Sequence, residues 1–298
     1  MTQFMNAVAQ AEEDCYLGQF IPLQYHHHML MDQYRMGSFK AAIEQTVFPG
    51  AKVLDLGGGT GVLSWFAAAK ASKVWCVEFN PDLVREARRL LKLNPGGDKV
   101  ELVHANAFEY LPPEPVDIVI CEMLHSAMVC EKQIEIIKSF KKRYLQRFGG
   151  PLPRFIPEAV IMAVQPVQQN YQFMGFHAPI MQFQLPKAVQ ADTTELAFPQ
   201  VYSTVDFTQT VSEAFSWKGA FSLEAGQVNA LRFITKNILS ISAGDSSVIE
   251  WHNHYLVLPL AEPIQAKAGA LLHVSFSYRA GGSLAHLQNA VSAALEKE

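Results

Sequence analysis

Lys52-Val53-Leu54-Asp55-Leu56 runs straight into Gly57-Gly58-Gly59-Thr60-Gly61, and Val62-Leu63-Ser64-Trp65-Phe66 follows at once. A short apolar run bounded by glycines reads as a buried strand, and a helical stretch over 61–71 opens directly behind it. Glycines at 57, 59 and 61 let the chain turn sharply and let a ligand approach the backbone with no Cβ in the way. In a doubly wound sheet a turn of this kind lies at the carboxyl ends of the strands, where ligands bind.

The pattern repeats downstream. KVWCVE (Lys73–Glu78) reads as a second strand, 82–93 as an amphipathic helix behind the start signal Asn80-Pro81, Val100–His104 as a third strand and 116–121 as a fourth. A helix over 134–145 follows, and residues 24–46, closed by Pro49-Gly50, read as a helix ahead of the sheet. Strands alternating with helices at this spacing predict a doubly wound parallel sheet with right-handed crossovers. The character changes after Gly149-Gly150-Pro151-Leu152-Pro153. Segments 201–209, 228–243, 254–260 and 270–279 alternate apolar and polar residues and are rich in Val, Phe, Tyr and Thr. They predict antiparallel strands in a barrel or sandwich, with a helix over 283–297 covering one side. The expected organisation is an N-terminal segment 1–23, a Rossmann-like domain 24–158 and a β-rich domain 159–298.

Composition narrows the function classes. Of 298 residues 49% are hydrophobic and 17% charged, enough for a full core. A formal net charge of −4 lacks the basic footprint of a nucleic-acid binder. Cys15, Cys76, Cys121 and Cys130 form no CxxC pair, which suits reduced thiols in a cytoplasmic protein. The N-terminus has neither a basic start nor a long apolar run, so no signal peptide is expected, and no stretch of about 18 apolar residues predicts a membrane span. No metal site is expected. His26, His27 and His28 would point different ways on a helix, and His252 and His254 lack a third ligand at suitable spacing. Lys138, Lys141, Lys142 and Arg143 read as the solvent face of a helix.

Glu78 ends the second strand, where a carboxylate can accept both hydrogen bonds of a ribose diol. A dinucleotide loop fits less well, because its G-x-G-x-x-G fingerprint needs glycine where Val62 stands. His26, Met29, Leu30, Asp32 and Arg35 then bring in a resemblance: the helix before the sheet is similar to the H-x-x-M-L-x-D-x-x-R segment of the protein arginine methyltransferases, and the similarity covers most of the chain, most strongly 25–158. The resemblance implies an S-adenosylmethionine (SAM) site. In it Arg35 clamps the cofactor carboxylate, in keeping with bidentate guanidinium–carboxylate geometry. Met29 packs near the sulfonium, Asp55 and Gly57 line the loop with Gly59 and Gly61, Glu78 binds the ribose, and Asn106 and Ala107 lie beside the adenine.

Glu122 and Glu131, nine residues apart beyond strand four, resemble that family's paired-glutamate loop. An acceptor guanidinium stays protonated, with its lone pairs delocalised. Two carboxylates gripping it from two sides draw positive charge onto one terminal nitrogen, so the other regains lone-pair density and faces the methyl. The chain departs from the family in two places. Met123, Leu124, His125 and Ser126 stand where the family has tryptophan, methionine, glycine and tyrosine, which makes His125 a candidate base or pocket wall. Ile249-Glu250-Trp251 corresponds to a Thr-His-Trp loop, so Glu250 and Trp251 are candidate substrate contacts, and asparagine stays open as an acceptor beside arginine. Residues 169–190, with Met174, Phe176, Ile180, Met181 and Phe183, fall where the family inserts a dimerisation arm, and they imply a homodimer. The expected activity is methylation of a protein side chain. A small-molecule N-methyltransferase and a SAM-binding regulator without turnover are the alternatives.

Overall fold

The structure is a computed structural model that describes residues 23–242 and 244–296. The segment before residue 23, Cys15 with it, lies outside the described residues.

The helical stretch ahead of the sheet is two helices, α1 (Leu23–Met31) and α2 (Gln33–Thr46). Asp32 causes the break. Its amide donates to the carbonyls of His28 and Met29 at 3.2 and 3.3 Å, closing α1. Its carboxylate accepts the Arg35 amide at 2.9 Å, capping α2. A short acceptor side chain satisfies the free donors of a new helix better than it continues an old one.

Strands β1 (Lys52–Leu56), β2 (Lys73–Glu78), β3 (Val100–His104), β4 (Ile118–Cys121) and β5 (Arg154–Ile156) form one parallel sheet in the order β3-β2-β1-β4-β5. The helices α3 (Val62–Ala68), α4 (Pro81–Leu93) and α5 (Gln133–Phe148) cross between the strands. With both faces covered, β1, β2 and β4 are buried almost throughout, as their unbroken apolar runs require. Strand order reverses between β1 and β4, so a crevice opens at their carboxyl ends.

Antiparallel structure begins at β6 (Ala159–Gln169), which pairs with β13 (Gly226–Ile241). The hairpin strands β7 (Gln172–Phe173) and β8 (Phe176–His177) project beyond β6. Then β9 (Gln182–Gln184), β10 (Thr193–Glu195), β11 (Gln200–Asp206), β14 (Val248–His252) and β15 (Tyr255–Ala266) complete a seven-stranded sheet with β6 and β13. A second sheet holds β12 (Ala214–Ser222), β16 (Leu271–Arg279) and β17 (Ser292–Leu295). The fold is thus the expected Rossmann-like domain followed by a β-barrel domain.

Three expectations change. The C-terminal helix is only α6 (Leu284–Ala290), because Ser292–Leu295 pairs as β17 with the free edge of β16 instead of continuing the helix. An open ladder edge outweighs the helix propensity of Ala293 and Ala294. The basic face of α5 is not simply solvated. Lys138 pairs with Glu213, Lys141 donates to the carbonyls of Phe207 and Gln209 at 2.6 Å each, and Arg143 donates to the Glu109 carbonyl. Two of these cations fasten α5 to the barrel. Finally, not all of 169–190 projects. β9 joins the barrel edge on β15 and Met181 packs against the core, whereas Met174, Phe176 and Ile180 remain exposed.

One apolar core runs through both sheets, from Phe39 and Phe140 to Phe207 and Phe233. No described helix is long and apolar enough to cross a membrane.

Candidate active site

A cavity of about 210 Å³ opens at the crevice between β1 and β4. Its floor is the glycine loop. Gly57 and Gly59 hold φ of +76° and +54°, and the Met123 thioether packs on Gly57 where a Cβ would come within 3.0 Å of the sulfur. Glu78 closes one side, almost fully buried. One oxygen accepts the Gly59 amide at 2.9 Å, and the other accepts the amides of Phe79 and Asn80, each at 2.8 Å. The carboxylate thus shapes the loop as well as facing the cavity. Asn106 and Ala107, just after β3, line the same side with Phe79 and Phe108.

Helices α1 and α2 form the roof. Met29 and Arg35 line the cavity, as does His26. Arg35 pairs with Glu122, while its Nε is buried with no hydrogen-bond partner. Trp251 lies buried against the guanidinium, 5.5 Å from ring centroid to Cζ, and is itself backed by Phe39 at 5.8 Å. The His26 Nε2 also has no partner, and burial, then the Arg35 charge, holds this ring neutral by lowering its pKa.

The far wall is the loop from Glu122 to Glu131. Ala127, Met128 and Cys130 sit at φ of 56°, 56° and 65°, left-handed backbone that a Cβ disfavours by about 1–2 kcal/mol each. The barrel holds them there. The Ala127 amide donates to Thr235 Oγ1 at 2.7 Å and Tyr278 donates to the Ala127 carbonyl at 2.8 Å. Gly281 donates to the Met128 carbonyl and Cys130 to the Gly282 carbonyl, both at 2.8 Å, and the Ser126 hydroxyl donates to the His254 carbonyl at 2.6 Å. Gln133 reaches back from α5, accepting the Met123 amide at 2.9 Å and donating to the Cys121 carbonyl at 2.6 Å. The second domain therefore sets the shape of an acid-bearing loop that belongs to the first.

Glu122, His125 and Glu131 all face this cavity. Burial pushes both carboxyls above the usual range. The Arg35 guanidinium opposes that at both, with a direct hydrogen bond only to Glu122, and Glu131, which also feels the Glu122 charge, is pushed up to about 7. Burial lowers the His125 pKa, so its ring is a neutral wall. The arrangement is a nucleoside-sized crevice whose acceptor end carries two acids and one resident cation.

Four sequence-predicted positions lie outside the cavity lining. Asp55 points under the loop, fully buried, and accepts the Ser64 hydroxyl at 2.6 Å. Burial lifts its pKa to about 7. Gly61 turns the chain into α3 at φ +82°, against Leu91. Trp251 supports Arg35 from behind. Glu250 points the other way along β14, as strand alternation demands, and pairs with Lys236. His26, Met123, Phe79 and Phe108 are lining residues to which sequence reasoning assigned no role. His26 opens the H-x-x-M-L motif, so its signal was present, but only the turn at Asp32 aims α1 over the loop. Among the described residues no group of His, Cys, Asp and Glu is placed to hold a metal.

Comparison with known proteins agrees with this geometry. Residues 53–144 match the model of a methyltransferase domain family. An uncharacterized protein of Methanocaldococcus jannaschii is 30% identical over 264 residues, 88% of this chain and 94% of that protein. A probable histone-arginine methyltransferase of Arabidopsis thaliana is 27% identical over 238 residues, 72% of this chain but 44% of that longer protein. Among solved structures, the Trypanosoma brucei PRMT1 enzyme–prozyme complex with AdoHcy superposes with a TM-score of 0.70 at 22% identity, covering 88% of each chain.

Proposed function

The chain belongs to the class I methyltransferases of the protein arginine methyltransferase type, as a divergent member, and from that premise we propose that it transfers a methyl group from SAM to an arginine side chain of a protein. The observation that carries the reading is that Glu122 and Glu131, distant in sequence from the glycine loop, face one cavity with Gly57, Gly59, Glu78 and Arg35.

The residues present suit the cofactor. Arg35, whose Nε has no partner, and the neutral His26 with its unpartnered Nε2 would hold the cofactor carboxylate. Glu78 would hold the ribose, and Asn106, Ala107 and the rings of Phe79 and Phe108 would border the adenine. When bound, SAM supplies an electrophilic methyl on a sulfonium. Glu122 is paired with Arg35, which opposes the upward push of burial on its carboxyl, and Glu131 ionises as a cation arrives. Together they orient the acceptor guanidinium and polarise it. The acceptor nitrogen would gain the methyl as the S–C pair stays with the donor sulfur, and its surplus proton would pass to the Glu131 carboxylate and on to solvent. Charge-assisted hydrogen bonds of about 1.5–3 kcal/mol each supply the grip.

The test is Glu122→Gln. SAM binding by calorimetry persists while methyl transfer to protein in an extract collapses by about 100-fold or more, the scale of losing a preorganised charged group. Undiminished turnover sinks the reading. Label from SAM recovered only in the low-molecular-weight filtrate identifies a small-molecule enzyme instead. The exposed Met174, Phe176 and Ile180 support self-association through the β7–β8 hairpin.

A further inference from the structure

The acids of the cavity lie on its far wall, and a charge of the opposite sign stands on the chain beside it. After β9 pairs with β15, the chain from Gln182 to Lys187 lies as a strap between the two walls. On one side Phe183 meets the His125 ring edge-on, centroids 5.5 Å apart. On the other, Lys187 Nζ sits 3.6 Å from the centroid of the Tyr34 ring, and Tyr34 immediately precedes Arg35. The turn between these contacts is tied down by Gln190, whose amide donates to the carbonyls of Leu185 and Ala188 at 2.7 and 2.9 Å. Lys187 is therefore held at a defined place although it is exposed.

A cation–π contact positions an ammonium without neutralising it. Among the described residues no carboxylate forms an ion pair with Lys187. Glu250, whose charge reaches Tyr34, is already engaged by Lys236. A cationic acceptor held by the two acids thus has a fixed positive charge beside its path. Segments dense in lysine and arginine are disfavoured beside that charge, and a lone arginine with acidic neighbours satisfies both the acids and the lysine.

We propose that Lys187, seated on Tyr34 on the strap beside the cavity, selects acceptor segments in which a single arginine is flanked by aspartate or glutamate. This rests on the arginine-acceptor reading above. The test uses two peptides, identical except for Asp or Lys on either side of one arginine, with labelled SAM and the full-length protein. The wild type favours the Asp peptide in kcat/KM by about twofold to fivefold for each facing charge, the range of an exposed ion pair. The preference shrinks at high salt. Lys187→Arg keeps it and Lys187→Glu reverses it, with SAM affinity measured alongside to show that each variant is folded. Methylation of both peptides at equal rates, or a preference that survives Lys187→Glu, overturns the selection by Lys187 and leaves the acceptor reading intact. Cofactor binding with no transfer to either peptide overturns the acceptor reading and this inference with it.

Discussion

Glu122 and Glu131 carry the same side chain in one cavity, and their neighbours give them different behaviour. Arg35 compensates Glu122, while Glu131 is held near a pKa of about 7 by burial and the Glu122 charge. Methyl transfer should therefore rise with pH through about 7 as Glu131 becomes able to grip a cation, and a pH–rate profile of kcat/KM checks this. Stability moves the opposite way. The folded carboxyl holds its proton between its ordinary value of 4.5 and about 7, where the unfolded one has lost it. Stability from this group is thus present below about 4.5 and lost as pH rises through 7, by at most about 3 kcal/mol. Glu131→Gln should flatten that slope, with urea midpoints at pH 5 and 8 as the measurement; an unchanged slope assigns it to another group, Asp55 being the next candidate. The two glutamates were legible in the sequence as a pair. Their inequality was not, because it depends on a guanidinium 87 positions from Glu122 that only folding brings beside it.

At the scale of elements, the glycine loop and the acid loop hold their shapes by different means. The first needs glycine itself. Gly57→Ala puts a Cβ at φ +76° against the Met123 thioether and should cost about 1–2 kcal/mol while weakening SAM binding, read by thermal shift and calorimetry. The second uses ordinary residues in left-handed backbone, held by the barrel. Thr235→Val keeps the volume but removes the acceptor of the Ala127 amide, leaving a buried donor unsatisfied at a cost of about 1–3 kcal/mol. Its kcat should fall more than its SAM affinity, since Thr235 supports the acids and not the cofactor side; equal losses in both would show general unfolding. The strand–glycine–helix order was readable because it is local. The support of the acid loop was not, because Thr235, Tyr278, Gly281 and Gly282 lie more than a hundred residues downstream with no motif of their own.

For the whole molecule, the exposed apolar tip of the β7–β8 hairpin calls for a partner surface. If that partner is a second copy, light scattering at micromolar concentration gives a dimer mass, and Met174→Asp with Phe176→Asp gives a monomer; a wild-type monomer removes the idea. The joint between domains shows which information lay where. Alternation of strands and helices up to α5, then of polar and apolar residues beyond β6, determined two kinds of sheet from sequence alone, because hydrophobic periodicity is a local property set by backbone geometry. The two motifs, through their resemblance to the protein arginine methyltransferases, pointed to a methyltransferase, and the match of residues 53–144 to a methyltransferase domain family agrees. Which side chains meet was decided only in three dimensions. Asp55 turned beneath its loop, Glu250 turned to Lys236, Trp251 slid behind Arg35, and the chain end left its helix for the open edge of β16. Each outcome follows from competition for burial and for hydrogen-bond partners among groups far apart in the chain, and one sequence read along its length does not contain the distances that settle such a competition.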